Sequence, residues 1–158
     1  VLTATGGQEA LDLLDEVGAV DVALLDRRMP SLSGDEVLAE LRDRGHDCRV
    51  AIVTAVDPDV DIVDMPFDAY LTKPVTGEAL HETVDRLLLL ERYDETVREQ
   101  FALAEKRAAL EAAHDPDELA DRAEYRRLVE RLERAERRAT DVVTELDPET
   151  FRAALSDL

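Results

Sequence analysis

Short apolar runs alternate with amphipathic helical stretches over the first two-thirds of the chain. Val1 to Ala4 is a short β-prone segment closed by Gly6-Gly7. Gln8 to Val17 then sets Ala10, Leu11, Leu13, Leu14 and Val17 at helical spacing. Asp21 to Leu25, read DVALL, is a continuous apolar run that suits a strand buried on both faces. Gly34 to Arg44 is helical, with Val37, Leu38 and Leu41 on one side, and Arg49 to Thr54 (RVAIVT) is a second buried strand. Ala69 to Thr72 is a third, followed by Lys73-Pro74. Strands and helices alternating at this length predict a parallel sheet joined by helical crossovers.

Between Val56 and Asp68 the pattern breaks. Asp57, Asp59, Asp61, Asp64 and Asp68 crowd a segment bounded by Pro58 and Pro66. Pro58 suits the first turn of a helix and Pro66 must end one, so only a short helix fits. From Glu78 the pattern is nearly unbroken helix. Leu80, Val84, Leu87 and Leu88 form a face for packing on the sheet, and the helix runs on past Val97 and Phe101 towards His114. Asp115-Pro116 is a cap and restart. A second long helix follows, from about Asp117 to Glu145, with Tyr125, Leu128, Leu132, Ala135, Ala139, Val142 and Leu146 as a heptad seam. Asp147-Pro148 restarts once more before a short helix over Glu149 to Leu155. A hairpin of the two long helices is the first expectation for the seam, and pairing with another chain the second.

Charge narrows the functions. The chain carries 38 acids against 19 bases, a net charge of -19. Of the bases only Lys73 and Lys106 are lysine. Such a field repels nucleic-acid phosphate and, unless salt screens it, the compact state itself. An acid-rich surface with arginine in place of lysine resembles proteins of salt-loving archaea. With 45% hydrophobic residues a packed core is within reach, while the four leucines Leu87 to Leu90 are far too few to span a bilayer. No secretory leader is visible, so a soluble cytoplasmic protein without membrane contact is expected. Cys48 is alone, which excludes an internal disulfide, and His46, His81 and His114 share no ligand spacing. The acidic segment lacks the glycine and terminal glutamate of an EF-hand, and Gly6-Gly7 has no following lysine of a nucleotide loop. The arginines from Arg122 to Arg138 interleave with acids and read as a solvated face.

Three predicted strand ends carry the candidate chemistry. Ligands of parallel α/β sheets sit at the carboxyl ends of the strands. Here those ends bring Asp26, Thr54 and Lys73: a carboxylate nucleophile, a hydroxyl donor and an ammonium suited to phosphoryl oxygens. The segment Leu24-Leu25-Asp26-Arg27-Arg28-Met29-Pro30 with Gly34, then Val53-Thr54-Ala55, then Tyr70-Leu71-Thr72-Lys73-Pro74, resembles the response-regulator receiver domain. The three motifs occur in the family's order and together cover Val1 to about Leu90. The resemblance implies a flavodoxin-like α/β fold and a phosphoryl group passed from a sensor histidine kinase to Asp26. It implies that Thr54 senses a phosphoryl oxygen, that Lys73 pairs with the phosphate and that the Lys73-Pro74 bond is cis. Tyr70 matches the switch aromatic, and Ala55 the small residue that leaves the site open. Magnesium would be held by Asp26 and the Arg28 backbone carbonyl.

The sequence departs from the family at its start. VLTATGGQEALDLL resembles the receiver's second strand and helix, so the first strand, the first helix and the acidic pair that holds magnesium are absent from this sequence. The Val1 to Ala4 strand then either pairs directly with Asp21 to Leu25 or belongs to a fragment. Residues from about Leu87 to Leu158 resemble the HalX domain, on Glu91-Arg92-Tyr93-Asp94 and the helix around Tyr125 to Leu146. The expected organisation is a truncated receiver over 1–88 and an all-α HalX-like tail over 89–158. The expected function is a two-component response regulator, a phosphoacceptor rather than a turnover enzyme, which signals through its tail to a homodimer or other protein partner. Two alternatives stand beside it: a degenerate receiver that interacts independently of phosphorylation, and a DNA-binding transcriptional regulator.

Overall fold

The computed structural model of the chain describes the backbone of residues 1–145 and the side chains of residues 1–140. Three strands, β1 (Val22–Leu25), β2 (Arg49–Thr54) and β3 (Ala69–Thr72), form a parallel sheet in the order β1-β2-β3. Leu25 lies opposite Ile52, and Ile52 opposite Tyr70. Side chains alternate across the sheet with the two-residue strand period. Val50, Ile52 and Tyr70 enter one core with Leu11 of α1 (Gly7–Val17) and Val37, Leu38 and Leu41 of α2 (Gly34–Asp43). Ala51 and Ala69 face the other way, onto Leu87 and Leu90 of α3 (Gly77–Leu90). The predicted α/β sheet with helices on both faces is thus present.

The opening differs from expectation. Residues 1–4 form no strand, and Val1 and Leu2 are exposed. Among the described residues β1 pairs with β2 alone, so Val1 to Ala4 does not pair with it. The DVALL run is accordingly not buried on both faces: Leu25 is buried, but Leu24 is 43% exposed. An apolar run reports only that a strand could be covered, and Leu24 is covered only in part.

The short segment between the prolines is a 3-10 helix over Val60–Asp64. Its Ile62 and Val63 are fully buried, while Asp59 caps it by accepting from the Val60 N–H at 2.7 Å. The long helical stretch from Glu78 divides. α3 ends at Leu90, and α4 (Glu95–Ala113) starts afresh because the Asp94 side chain accepts from the Val97 N–H at 3.1 Å. Likewise α5 (Pro116–Ala120) is a single short piece before α6 (Ala123–Glu145). The helix expected over Glu149 to Leu155 lies outside the described residues.

α4 and α6 pack as the expected hairpin. Leu103 and Leu110 of α4 meet Leu128, Leu132 and Ala135 of α6, and these join the same core as the sheet residues. The hairpin rests on the 3-10 helix and on β3. Lys106 of α4 is buried there, and its Nζ donates to the carbonyls of Val63 at 3.0 Å and Met65 at 2.5 Å. The arginines of the tail are not merely solvated. Arg122 faces Asp59 at 3.7 Å, Arg127 and Arg131 face Asp64 at 3.6 and 3.4 Å, and Arg138 pairs with Glu99 at 3.1 Å. The acidic crossover and the basic run, unconnected in sequence, are partners.

Candidate phosphoacceptor site

The sheet places its three strand ends side by side. Asp26 directly follows β1, Thr54 closes β2 and Lys73 directly follows β3. The Lys73 Nζ donates to Asp26 Oδ2 at 2.6 Å, across 47 residues of sequence. Asp26 Oδ1 accepts from the Arg28 N–H at 3.1 Å. Thr54 is wholly buried, and its hydroxyl accepts from the Val56 N–H at 3.3 Å. Burial pushes the Asp26 carboxyl up. The Lys73 ammonium, the Arg28 N–H and the Thr54 hydroxyl outweigh it and hold the group below the usual aspartate range. The site therefore presents an ionised carboxylate flanked by a cation and a hydroxyl.

The neighbours are equally defined. Tyr70 is buried, its hydroxyl donating to the Val56 carbonyl at 2.7 Å, and burial pushes its own pKa up. Its ring sits 5.7 Å from that of Phe67. Ala55 is exposed at the mouth, and the Lys73–Pro74 bond is cis.

Two residues here gained no role from sequence. Gly34 opens α2 hard against the site: a Cβ built on it would lie 2.1 Å from the Asp26 carbonyl oxygen. Its N–H donates to the Arg27 carbonyl at 3.0 Å. The Ser33-x-x-Glu36 signature that starts this helix was legible, and both halves of the capping box form. Arg27 is the second. Its guanidinium grips Asp35 through Nε at 2.9 Å and Nη2 at 2.7 Å, and it also contacts Asp61 of the 3-10 helix. The hydrogen bonds to Asp35 lead the effects that keep its pKa raised. Nothing in linear spacing joins Arg27 to Asp61, 34 residues away.

Magnesium generally binds at the phosphorylation site of receiver domains. The residues described here do not fit it well. No group of three acidic, histidine or cysteine side chains gathers anywhere among them, and both Asp26 oxygens already accept hydrogen bonds.

Comparison with known proteins agrees with this geometry. The response regulator receiver domain matches residues 1–85, and the HalX domain matches residues 89–155. A putative transcriptional regulator of Haloferax volcanii is 54% identical over 141 residues, covering 88% of this chain and 24% of that protein. The transcriptional regulatory protein CitT of Halalkalibacterium halodurans is 33% identical over 147 residues, covering 86% of this chain and 64% of that one. The chain thus spans less than two-thirds of either relative. The receiver domain of Francisella response regulator 1452 superposes with a TM-score of 0.52 at 31% identity, over 57% of this chain and 76% of that one. A Clostridium thermocellum receiver domain gives 0.53 at 29% identity, over 58% and 76%. No described helix is long and apolar enough to cross a membrane. With its sheet, its three strand ends and its helical continuation, the chain belongs to the response-regulator receiver family and carries a HalX domain after the receiver.

Proposed function

We propose that Asp26 accepts a phosphoryl group from a histidine kinase and that the helical tail reads its presence. The observation that carries this is the Lys73–Asp26 contact of 2.6 Å at adjoining strand ends. In the transfer an Asp26 oxygen attacks phosphorus as the P–N bond of phosphohistidine breaks, and the departing imidazole nitrogen keeps the electron pair and takes a proton from solvent. Lys73 offsets charge on the phosphoryl oxygens and Thr54 donates to one of them.

In this reading the tail responds through the segment after β2. If Thr54 turns to the phosphoryl group, its hydroxyl leaves the Val56 N–H, and Val56 also holds the Tyr70 hydroxyl. The segment that begins there carries Asp59, Asp64 and the carbonyls that seat Arg122, Arg127, Arg131 and Lys106. Docking of the tail is thereby tied to the state of the site. Cytoplasmic placement, a kinase partner and the absence of turnover chemistry belong to this reading.

The test is intact mass after incubation with a small phosphodonor and magnesium in high salt, beside Asp26→Asn. A phosphoryl gain in the parent alone supports the switch; no gain in either protein overturns it. The second reading, a receiver that interacts without phosphorylation, is favoured by the lack of an acidic cluster among the described residues. A DNA-binding output draws support from the names of the two relatives, yet four tail arginines face acids of this chain.

A further inference from the structure

Away from Asp26, a cleft of about 270 Å³ opens between the start of β2 and the tail helices. Five cations line it, Arg42, Arg49, Arg98, Lys106 and Arg131, against four carboxylates, Asp47, Asp68, Glu95 and Glu99. In a chain of net charge -19 a cation majority in one cavity is unexpected.

The carboxylates do not neutralise these cations one for one. Asp68 and Asp47 both engage Arg49, at 3.0 and 2.7 Å. Glu99 is paired with Arg138, and Arg131 has its partner outside the cleft in Asp64 at 3.4 Å. Arg42 gives its Nη1 to the carbonyls of His46 and Cys48 at 2.8 and 2.9 Å, and lies 3.9 Å from Asp68. Lys106 is likewise held by carbonyls. Carbonyl oxygens satisfy donors but carry no counter-charge.

Arg98 is less satisfied still. Its guanidinium makes no hydrogen bond among the described residues, and its one ion pair, to Asp47, is 3.8 Å long. The side chain is only 24% exposed. The Nε atoms of Arg98 and of the more deeply buried Arg49 are both enclosed without a partner. A guanidinium so placed leaves donors and charge uncompensated, which is costly.

We propose that this cleft binds a small oxyanion, a carboxylate or phosphate group received by the Arg98 guanidinium. A planar fork of N–H donors matches such a group bidentately. Pro66, Phe67, Ala102 and Leu103 give the cleft an apolar wall beside the cations, with room for a short carbon skeleton. Because Arg49 lies on β2 and Arg98 on α4, the anion would bridge the receiver to its tail. The binding does not depend on phosphoryl transfer to Asp26.

The test is calorimetric titration of the full chain with inorganic phosphate and, separately, with succinate, at one high ionic strength set by sodium chloride. One-site saturable binding of either probe is expected, weakened at least tenfold by Arg98→Gln and partly restored by Arg98→Lys. Binding of phosphate alone marks an inorganic ligand; binding of succinate marks a small organic acid. Absence of saturable binding by both probes overturns the proposal. So does binding that survives Arg98→Gln, or binding lost in Lys73→Met, which would put the anion at the strand ends. Should Arg98→Gln fail to fold, NMR titration of Lys106 in the parent decides. An anion in the cleft moves its pKa up, and an unchanged titration at saturating probe refutes the site.

Discussion

Lys106 on α4 reaches across to the Val63 carbonyl at 3.0 Å, so a tail lysine closes the carboxyl end of a helix in the receiver. Its ammonium also lies 5.1 Å over the Phe67 ring. Burial lowers its pKa to about 8 from 10.5. The unfolded chain therefore holds this proton more firmly, and stability rises with pH between about 8 and 10.5, by about 3 kcal/mol for a shift of this size. A neutral amine still has two N–H groups for the two carbonyls. Urea unfolding at pH 7, 9 and 10 against Lys106→Met checks this. The buried Cys48 thiol, pushed up by desolvation, acts with opposite sign in both proteins and cancels in the difference. A parent–variant difference that is flat with pH would refute the assignment.

Removing the cation at the strand ends has a defined sign. In Lys73→Met, Asp26 loses its 2.6 Å partner while keeping its partial burial, so its carboxyl pKa rises. A carbon-detected NMR titration of Asp26 measures it. A titration identical to the parent's would show that the contact is not formed in solution.

Gly34→Ala probes the wall of the same site. The added Cβ meets Asp26 and Arg27 backbone, which cannot swing aside as a flexible side chain would. We expect a loss of about 1–3 kcal/mol in denaturant unfolding. Amide shifts should concentrate at Asp26 to Arg28. A neutral substitution would mean that α2 slides freely.

Leu128→Ala empties a fully buried position in the shared core. A loss of about 2–5 kcal/mol is expected. Hydrogen exchange should quicken at Ile62 and Val63 as well as along α4. Faster exchange confined to the tail helices would contradict a common core.

Much of this was legible in sequence. The three strands, their order and the residues at their ends followed from apolar runs and motif position, because those signals are local in the chain. What was lost was long-range or depended on a cap. Asp94 restarts a helix that hydrophobic spacing alone ran straight through. Arg27–Asp61 and Arg131–Asp64 join residues far apart, and a charge pattern read in one dimension shows both partners as solvated. Leu24 shows the converse, since apolarity allows burial without providing the element that would cover it.

The core that runs unbroken from Leu11 to Ala135 has a mechanical consequence. Chain connectivity between residues 90 and 95 is not what keeps the halves together. A protease cut within that turn should leave two fragments that migrate as one particle and melt in one transition, each serving as the other's missing interior.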